Sequence, residues 1–207
     1  MRRSIDDYPF DAADYPPDYE DDELTPISWA EAISDDYAIV GLLNSKALWF
    51  MFRTLTPLAS GGYFRMKAQY VGQLPIPEIP ENSRQALTSQ AVATQKAAQK
   101  RLKLQAALTR RIPDLCPPER EPKLTTKLKE WWTLPDFAAF RAEVKKVFKA
   151  DIPLSERSDW EDWIARDRAE IARLTAEIAQ AEAKIDGIVY ELFDLTPDEI
   201  ALLEASI

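Results

Sequence analysis

The pattern of apolar and polar positions along the chain predicts mainly α-helices. Residues 83–111 and 158–193 each repeat apolar side chains at three- and four-residue steps over many turns. In the second segment an isoleucine or leucine recurs every seventh residue, at Ile164, Ile171, Ile178, Ile185 and Leu192. Such a heptad seam is typical of coiled coils. The two segments are predicted to form an antiparallel coiled coil within the chain, while a homodimer through residues 158–193 stays open.

Several shorter helices complete the prediction. One spans residues 38–55, and two more, at about 124–132 and 136–149, carry aromatic residues that predict a satellite core. Capping boxes predict helix starts at Ser28 and at Thr196. The apolar stripe of the helix predicted at residues 83–111 is narrow, and its side chains are small in the first half of the helix. It consists of Leu87, Ala91, Thr94, Ala98, Leu102, Gln105, Leu108 and Ile112.

One segment has the alternation of a strand. After Ser60, Gly61 and Gly62, residues 63–70 alternate between an apolar side and a polar one, which predicts a strand with a polar face. Prolines at 75, 77 and 80 then end it, and a domain boundary is expected near residue 81. The predicted fold class is therefore α+β and predominantly helical. An acidic extended lead-in (1–27) precedes a small α/β subdomain (28–80) and a helical part (81–207).

Charge is sharply segregated along the sequence. Residues 1–37 carry about −10, residues 38–149 about +11 and residues 150–207 about −10, within a total of −9. The middle segment has the electrostatics of a phosphate-binding surface. Pairing between basic and acidic helices explains the same segregation equally well.

Composition excludes several kinds of chemistry. The chain has no histidine and only Cys116, so an internal disulfide, the usual zinc sites and Ser-His or Cys-His catalytic pairs are excluded. It also lacks a glycine-rich loop for S-adenosylmethionine and an Asn/Asp-Pro-Pro-Tyr/Phe motif. Two Pro-Asp patterns that precede Glu-x-Lys lie in a proline-rich linker and on a predicted helix, which does not suit a metal-dependent nuclease. We expect a cytoplasmic, non-catalytic chain with no signal peptide, membrane span, metal or cofactor.

Two motifs resemble one family. Asn44-Ser45-Lys46, then Gly61 to Lys67, then Gln73 to Ile76 follow the order of the closing part of the target-recognition domain of gamma-class N6-adenine DNA methyltransferases and type IIG restriction enzymes. The stretch AKIDGIVYELFDLTPDEIALLE, with Asp186 and Tyr190, resembles the ending of the same family. The resemblance implies a specificity module that binds duplex DNA beside a methyltransferase or restriction subunit. S-adenosylmethionine would then bind a catalytic domain that this sequence does not contain.

The resemblance points to a set of DNA-contacting residues. Arginine and lysine supply phosphate donors, glutamine an amide that can read a base edge, and tyrosine a stacking face. The predicted DNA-binding residues are Lys46, Arg53, Tyr63, Arg65, Lys67, Gln69 and Tyr70. For each of them, packing of the subdomain is an equally good explanation.

Three functions stay open from the sequence. The first is the DNA specificity module. The second is a protein-interaction module whose heptad helices dock a methyltransferase or nuclease subunit without touching DNA. The third is an acidic DNA mimic, suggested by the two acidic ends. The recognised DNA site, and whether the chain is a fragment or a complete subunit, stay open as well.

Overall fold

The computed structural model describes residues 36–59 and 61–207. The acidic lead-in at 1–27 and the helix expected after Ser28 lie outside the described residues. The described chain is predominantly helical. Its α-helices are α1 (Tyr37–Leu43), α2 (Lys46–Leu55), α3 (Ala68–Val71), α4 (Glu81–Thr109), α5 (Thr126–Lys129), α6 (Phe137–Phe148), α7 (Arg157–Leu192) and α8 (Pro197–Ala205). Short 3-10 helices occupy Ile112–Leu115, Trp131–Thr133 and Leu154–Glu156.

The two longest helices pack against each other along their length. At one end Leu87 of α4 shares a core with Ile185 of α7, and at the other Leu108 shares one with Ile164. The beginning of α4 therefore packs against the end of α7, and the end of α4 against the beginning of α7. The two helices run antiparallel. Both were predicted to within two residues at each end. Their buried seam includes the isoleucines that recur every seventh residue.

An aromatic core fills the end of this helix pair that lies near residue 108. The indole of Trp131 is fully buried and donates a hydrogen bond to the Gln105 carbonyl at 3.2 Å. Phe140 and Phe148 on α6 are buried in the same cluster. These residues come from the region predicted as a satellite core, and α6 spans nearly the residues expected for it.

A second core lies at the opposite end of the helix pair. Ala38 and Leu42 of α1 pack with Leu87 of α4 and with Val189 of α7. This core crosses the boundary predicted near residue 81, and residues 36–207 form one compact unit. The terminal helix α8 begins at the predicted capping box, where the Thr196 side chain accepts from the Glu199 amide and the Glu199 side chain from the Thr196 amide.

The strand predicted over residues 63–70 is wrong. Among the described residues, β-pairing is limited to one antiparallel bridge between Leu58 and Phe64, and residues Ala68–Val71 form a helical turn. Alternation predicts a strand only where a neighbouring strand can pair with it. Here the chain turns sharply at Gly61 and Gly62, and the prolines that follow cannot donate backbone hydrogen bonds.

Three other predictions need correction. The helix predicted over 38–55 is two helices, because the first ends at Leu43 with Asn44 as its C-cap and Ser45 caps the second by accepting from Leu48 N. The helix predicted at 124–132 is a four-residue helix followed by a 3-10 turn. Leu102, predicted in the apolar stripe, is 64% exposed, whereas Ala97 is buried against α7.

Candidate nucleic-acid interface

The candidate interface begins where α2 ends. Thr56 caps α2, and the chain then reverses through Gly61 and Gly62, whose φ angles of 107° and 77° favour glycine. The reversal brings Phe64 against Trp49 on α2, with ring centroids 5.8 Å apart in an edge-to-face arrangement. This aromatic contact fixes the start of the segment that carries Arg65 and Lys67.

A groove collects three of the predicted residues. Arg65, Lys67 and Tyr70 line a cleft of about 290 Å³ together with residues that follow α2. Those additional lining residues are Thr56, Pro57, Leu58 and Ala59. Arg65 and Lys67 are exposed and Tyr70 is half-buried. Two cations and an aromatic ring therefore line one groove.

Tyr63 lies beside this groove and supports Arg65. The Arg65 guanidinium carbon lies 5.7 Å from the centroid of the Tyr63 ring, and Arg65 Nη2 donates to the Tyr63 hydroxyl at 3.3 Å. The ring holds the guanidinium in place and leaves its outer edge to solvent. Tyr63 is itself 51% exposed, so part of its side chain is available for contact.

Arg53 lines a neighbouring cleft of about 260 Å³ that shares Thr56 and Leu58 with the groove. Its guanidinium carbon lies 5.8 Å from the Phe64 ring centroid, and Nη1 donates to the Ser206 carbonyl at 3.2 Å. Thr56 is 4% exposed, and its hydroxyl has no hydrogen-bond partner among the described residues. Thr56 was not predicted, because an isolated threonine carries no signal for such a position.

The predicted Gln69 does not line this groove. It lies exposed on α3, and its carbonyl accepts a hydrogen bond from Gln73 Nε2 at 2.7 Å. Its amide side chain has no hydrogen-bond partner in the part of the chain that the structure describes. Gln69 therefore adjoins Tyr70 along the chain without sharing the groove with it.

Lys46 is engaged by carboxylates. Its Nζ atom donates to Glu204 Oε1 at 2.9 Å and lies 3.6 Å from Asp186 Oδ2. The hydrogen bond to Glu204 raises the pKa of Lys46, and the same bond lowers the pKa of Glu204. Burial, followed by the charges of Asp186 and Glu204, raises the pKa of the Tyr190 hydroxyl to about 12. Tyr190 donates to Glu204 Oε1 at 3.2 Å, which completes a four-residue network.

The two motifs that resemble one family meet in this network. Asp186 Oδ1 accepts a hydrogen bond from the Lys46 backbone N–H at 2.8 Å, across 140 residues of sequence. Asp186 is 6% exposed and lies at the start of α2, where a carboxylate is favoured by the unpaired N–H groups and the helix dipole. Spacing along the chain does not show that two distant motifs touch, so this contact could not be predicted.

The segment of the chain that carries the groove has charged residues of one sign only. Residues 37–77 contain Lys46, Arg53, Arg65 and Lys67 and no aspartate or glutamate. Of these, Lys46 is paired with carboxylates as described, whereas no ion pair is found for Arg65 or Lys67 among the described residues. Such an acid-free segment is suited to an anionic ligand.

Two features are absent from the described residues. Within residues 36–59 and 61–207, no group of three or more Cys, Asp or Glu side chains is arranged to hold a metal ion. No helix in these ranges combines the length and apolar character needed to cross a bilayer.

A comparison with known families gives a match to the helical part of the chain. Residues 80–189 match the model of a family described as a domain of unknown function, DUF8810. The match covers more than half of the chain, so the chain belongs to this family. It takes in α4 to most of α7 and leaves the groove at residues 56–70 outside. Neither the curated proteins nor the solved structures include a match to this chain.

Proposed function

We propose that this chain is the C-terminal part of a DNA target-recognition module of a restriction-modification adenine methyltransferase system. It would bind duplex DNA while catalysis resides on another domain or subunit. The observation that carries the proposal is the groove that gathers Arg65, Lys67 and Tyr70 in a segment without acidic residues. Protein groups of this kind position a DNA backbone through charge-assisted hydrogen bonds.

The contact between the two motifs adds support. If Asn44-Ser45-Lys46 and the Asp186-Tyr190 segment derive from one recognition domain, they are expected to be adjacent in space. The Lys46–Asp186 hydrogen bond satisfies that expectation. We further propose that Lys46 holds the module together and that the DNA contacts are made by Arg53, Tyr63, Arg65, Lys67 and Tyr70, with Gln69 beside them.

In this proposal Arg65 and Lys67 bind phosphates, and the exposed face of Tyr63 contacts sugar or base. Arg53 adds charge beside the groove, since its guanidinium already donates to Ser206. The helices α4 and α7 form an antiparallel coiled coil that projects from the DNA-binding end and docks the methyltransferase or restriction subunit. S-adenosylmethionine binds that subunit.

Binding to mixed-sequence duplex DNA tests the proposal. Fluorescence anisotropy of the full chain is expected to give micromolar binding at low salt that weakens steeply as salt is raised, because released counterions drive the association. Removing both groove cations with Arg65→Ala and Lys67→Ala should lower the slope of log K against log salt by about 1 for each phosphate that is no longer bound.

A matched variant controls for net charge. Lys127→Ala with Lys129→Ala removes the same charge from exposed positions on α5, away from the groove. This variant should bind DNA with nearly the wild-type slope. Equal losses of affinity in both variants would mean that net charge, and not the groove, determines binding.

One observation favours a second function. The family match coincides with the helical part and excludes the groove, which fits a protein-interaction module that docks a methyltransferase or nuclease subunit without DNA contact. That function predicts no DNA binding even at low salt. Partner capture would then resist salt, because apolar helix contacts are weakly screened.

A further inference from the structure

The isoleucine seam of α7 is used within the chain, so it cannot also join two copies. Ile164, Ile171, Ile178 and Ile185 are all buried against the rest of the described chain. Any association through α7 must therefore use another face of the helix. The side opposite the isoleucines is the only face of α7 that the described residues leave largely uncovered.

A second heptad seam occupies that opposite face, and every member is alanine. The spacing alternates between four and three residues, as coiled-coil seams require. Its members are Ala165, Ala169, Ala172, Ala176, Ala179 and Ala183, all exposed. From first to last they span about 27 Å of helix at 1.5 Å per residue. Sequence periodicity alone points to the isoleucine seam, because isoleucines are larger and more apolar. The alanine seam becomes evident only when the structure shows that the isoleucines are already buried within the chain.

Open clefts run beside the alanine seam. One of about 780 Å³ extends from Trp132 past Ala172 to Ala179. Another of about 580 Å³ continues from Ala179 to Ala183, between α7, α4 and α1. Thr94 lines the second cleft, and its buried hydroxyl has no hydrogen-bond partner within residues 36–59 and 61–207. The two clefts share Ala179, and the described residues leave both unfilled.

The seam is symmetric about its centre. Ala165 and Ala183, Ala169 and Ala179, and Ala172 and Ala176 form pairs centred on residue 174. A two-fold axis at this point would place each alanine opposite one from an identical, antiparallel helix. Alanine side chains allow helices to approach to about 8 Å, the short end of the usual range.

Charges beside the seam obey nearly the same symmetry. Arg168 and Glu182 lie along the same edge of the alanine seam, and the midpoint between their positions is residue 175. The two-fold axis therefore brings each arginine to the partner's glutamate. Among the described residues, neither forms an ion pair within the chain. By contrast, Arg173 near the axis is already neutralised by Glu170 and Glu177 of its own helix. Self-repulsion at the axis is thereby relieved.

We propose that a second copy of this chain docks antiparallel on the alanine seam of α7, which gives a four-helix arrangement of two α4–α7 pairs. The proposal goes beyond the DNA-binding function and does not depend on it.

Charge exchange across the axis provides the test. Arg168→Glu alone places two glutamates together, and Glu182→Arg alone places two arginines together. Each single variant of the full chain should raise the dimer Kd, measured by sedimentation equilibrium, about tenfold or more. The double variant Arg168→Glu with Glu182→Arg restores both pairs with reversed sign and should return the Kd to near the wild-type value.

Further variants separate association from folding. Ala172→Glu with Ala176→Glu should give a monomer whose helix content by circular dichroism is unchanged, since both positions are exposed. Lys184→Glu reverses a charge on α7 away from the seam and should leave the dimer intact. A monomeric wild-type chain overturns the proposal, as does a dimer that persists in Ala172→Glu with Ala176→Glu. Failure of the double charge exchange to restore the dimer overturns the two-fold arrangement.

Discussion

The aromatic core around Trp131 and the exposed segment at residues 56–70 are built in opposite ways. The core gathers fully buried side chains from α4, α6 and α7. The segment at residues 56–70 buries little beyond Thr56 and the contacts of Phe64, and it exposes Tyr63, Arg65, Met66 and Lys67. We therefore expect the aromatic core to determine whether the chain folds, and the exposed segment to present charge that folding does not require.

The difference shows how stability and candidate function are separated in this chain. Substitutions in the aromatic core should change the free energy of unfolding and, if the DNA-binding proposal is right, leave the intrinsic affinity for DNA unchanged. Substitutions in the exposed segment should do the reverse, because surface side chains away from special contacts contribute little to stability. That separation can be tested by substitution and by pH.

Trp131→Ala should destabilise the chain most. It removes a fully buried indole and its hydrogen bond to the Gln105 carbonyl, a loss of about 3 to 5 kcal/mol for a buried tryptophan. Urea denaturation followed by circular dichroism measures the change in the free energy of unfolding. A change below about 1 kcal/mol would mean that this core does not hold the helices together.

Asp186→Ala should have an intermediate effect. The variant removes the acceptor of the Lys46 backbone N–H and a charge partner of its ammonium group, which should cost about 1 to 3 kcal/mol. Asp186→Asn keeps an oxygen at the same place and should lose less. If both variants unfold at the wild-type urea concentration, the contact between the two motifs is not structural.

Acid should weaken the pair formed by Arg141 and Asp151. The bidentate hydrogen bond from Arg141, at 2.6 Å to each carboxylate oxygen, lowers the pKa of Asp151 from 3.8 to about 2. Because the folded-state pKa lies below the unfolded one, the stabilisation is fully present above about pH 4 and is lost as pH falls through about 2.

The titration of Asp151 can be measured directly. Carboxyl carbon NMR of the folded chain should show an Asp151 pKa near 2, and Asp151→Asn should flatten the acid limb of the stability curve relative to wild type. A pKa at the ordinary value for aspartate would show that the ion pair does not persist in solution.

Tyr63→Ala should change stability least. The ring is half-exposed and supports the exposed Arg65, so the free energy of unfolding should stay within about 0.5 kcal/mol of wild type. Its DNA affinity should fall, since the ring both supports the guanidinium and offers a stacking face. Loss of stability comparable to that of Trp131→Ala would contradict the separation between the two regions.

Sequence periodicity predicted the long helices because each is many turns long and buries one face. It located α4, α6, α7 and α8 closely, and the capping box at Thr196 fixed the start of the last helix. It failed at residues 63–70, where alternation is short and the described chain has no neighbouring strand to extend the single bridge at Phe64. Periodicity also placed Leu102 in the apolar stripe of α4. In the structure Ala97 is buried there instead, because α4 turns a different side towards α7.

The candidate site was only partly accessible to sequence reasoning. Residue type and order drew attention to Arg65, Lys67 and Tyr70, and these three share one groove. Lys46 was included for the same reasons, but its carboxylate partners lie far along the chain and became visible only in three dimensions. Pairing over such distances depends on tertiary packing, which local patterns do not encode.

Amide chemical-shift mapping with duplex DNA would decide whether the exposed segment binds DNA. Titrating the isotope-labelled full chain with a mixed-sequence duplex at low salt should shift the amides of residues 63–70 and Arg53 most, with little change along α4. Shifts concentrated on the basic residues of α4, with residues 63–70 unaffected, would contradict the DNA-binding proposal, as would spectra that do not change at all.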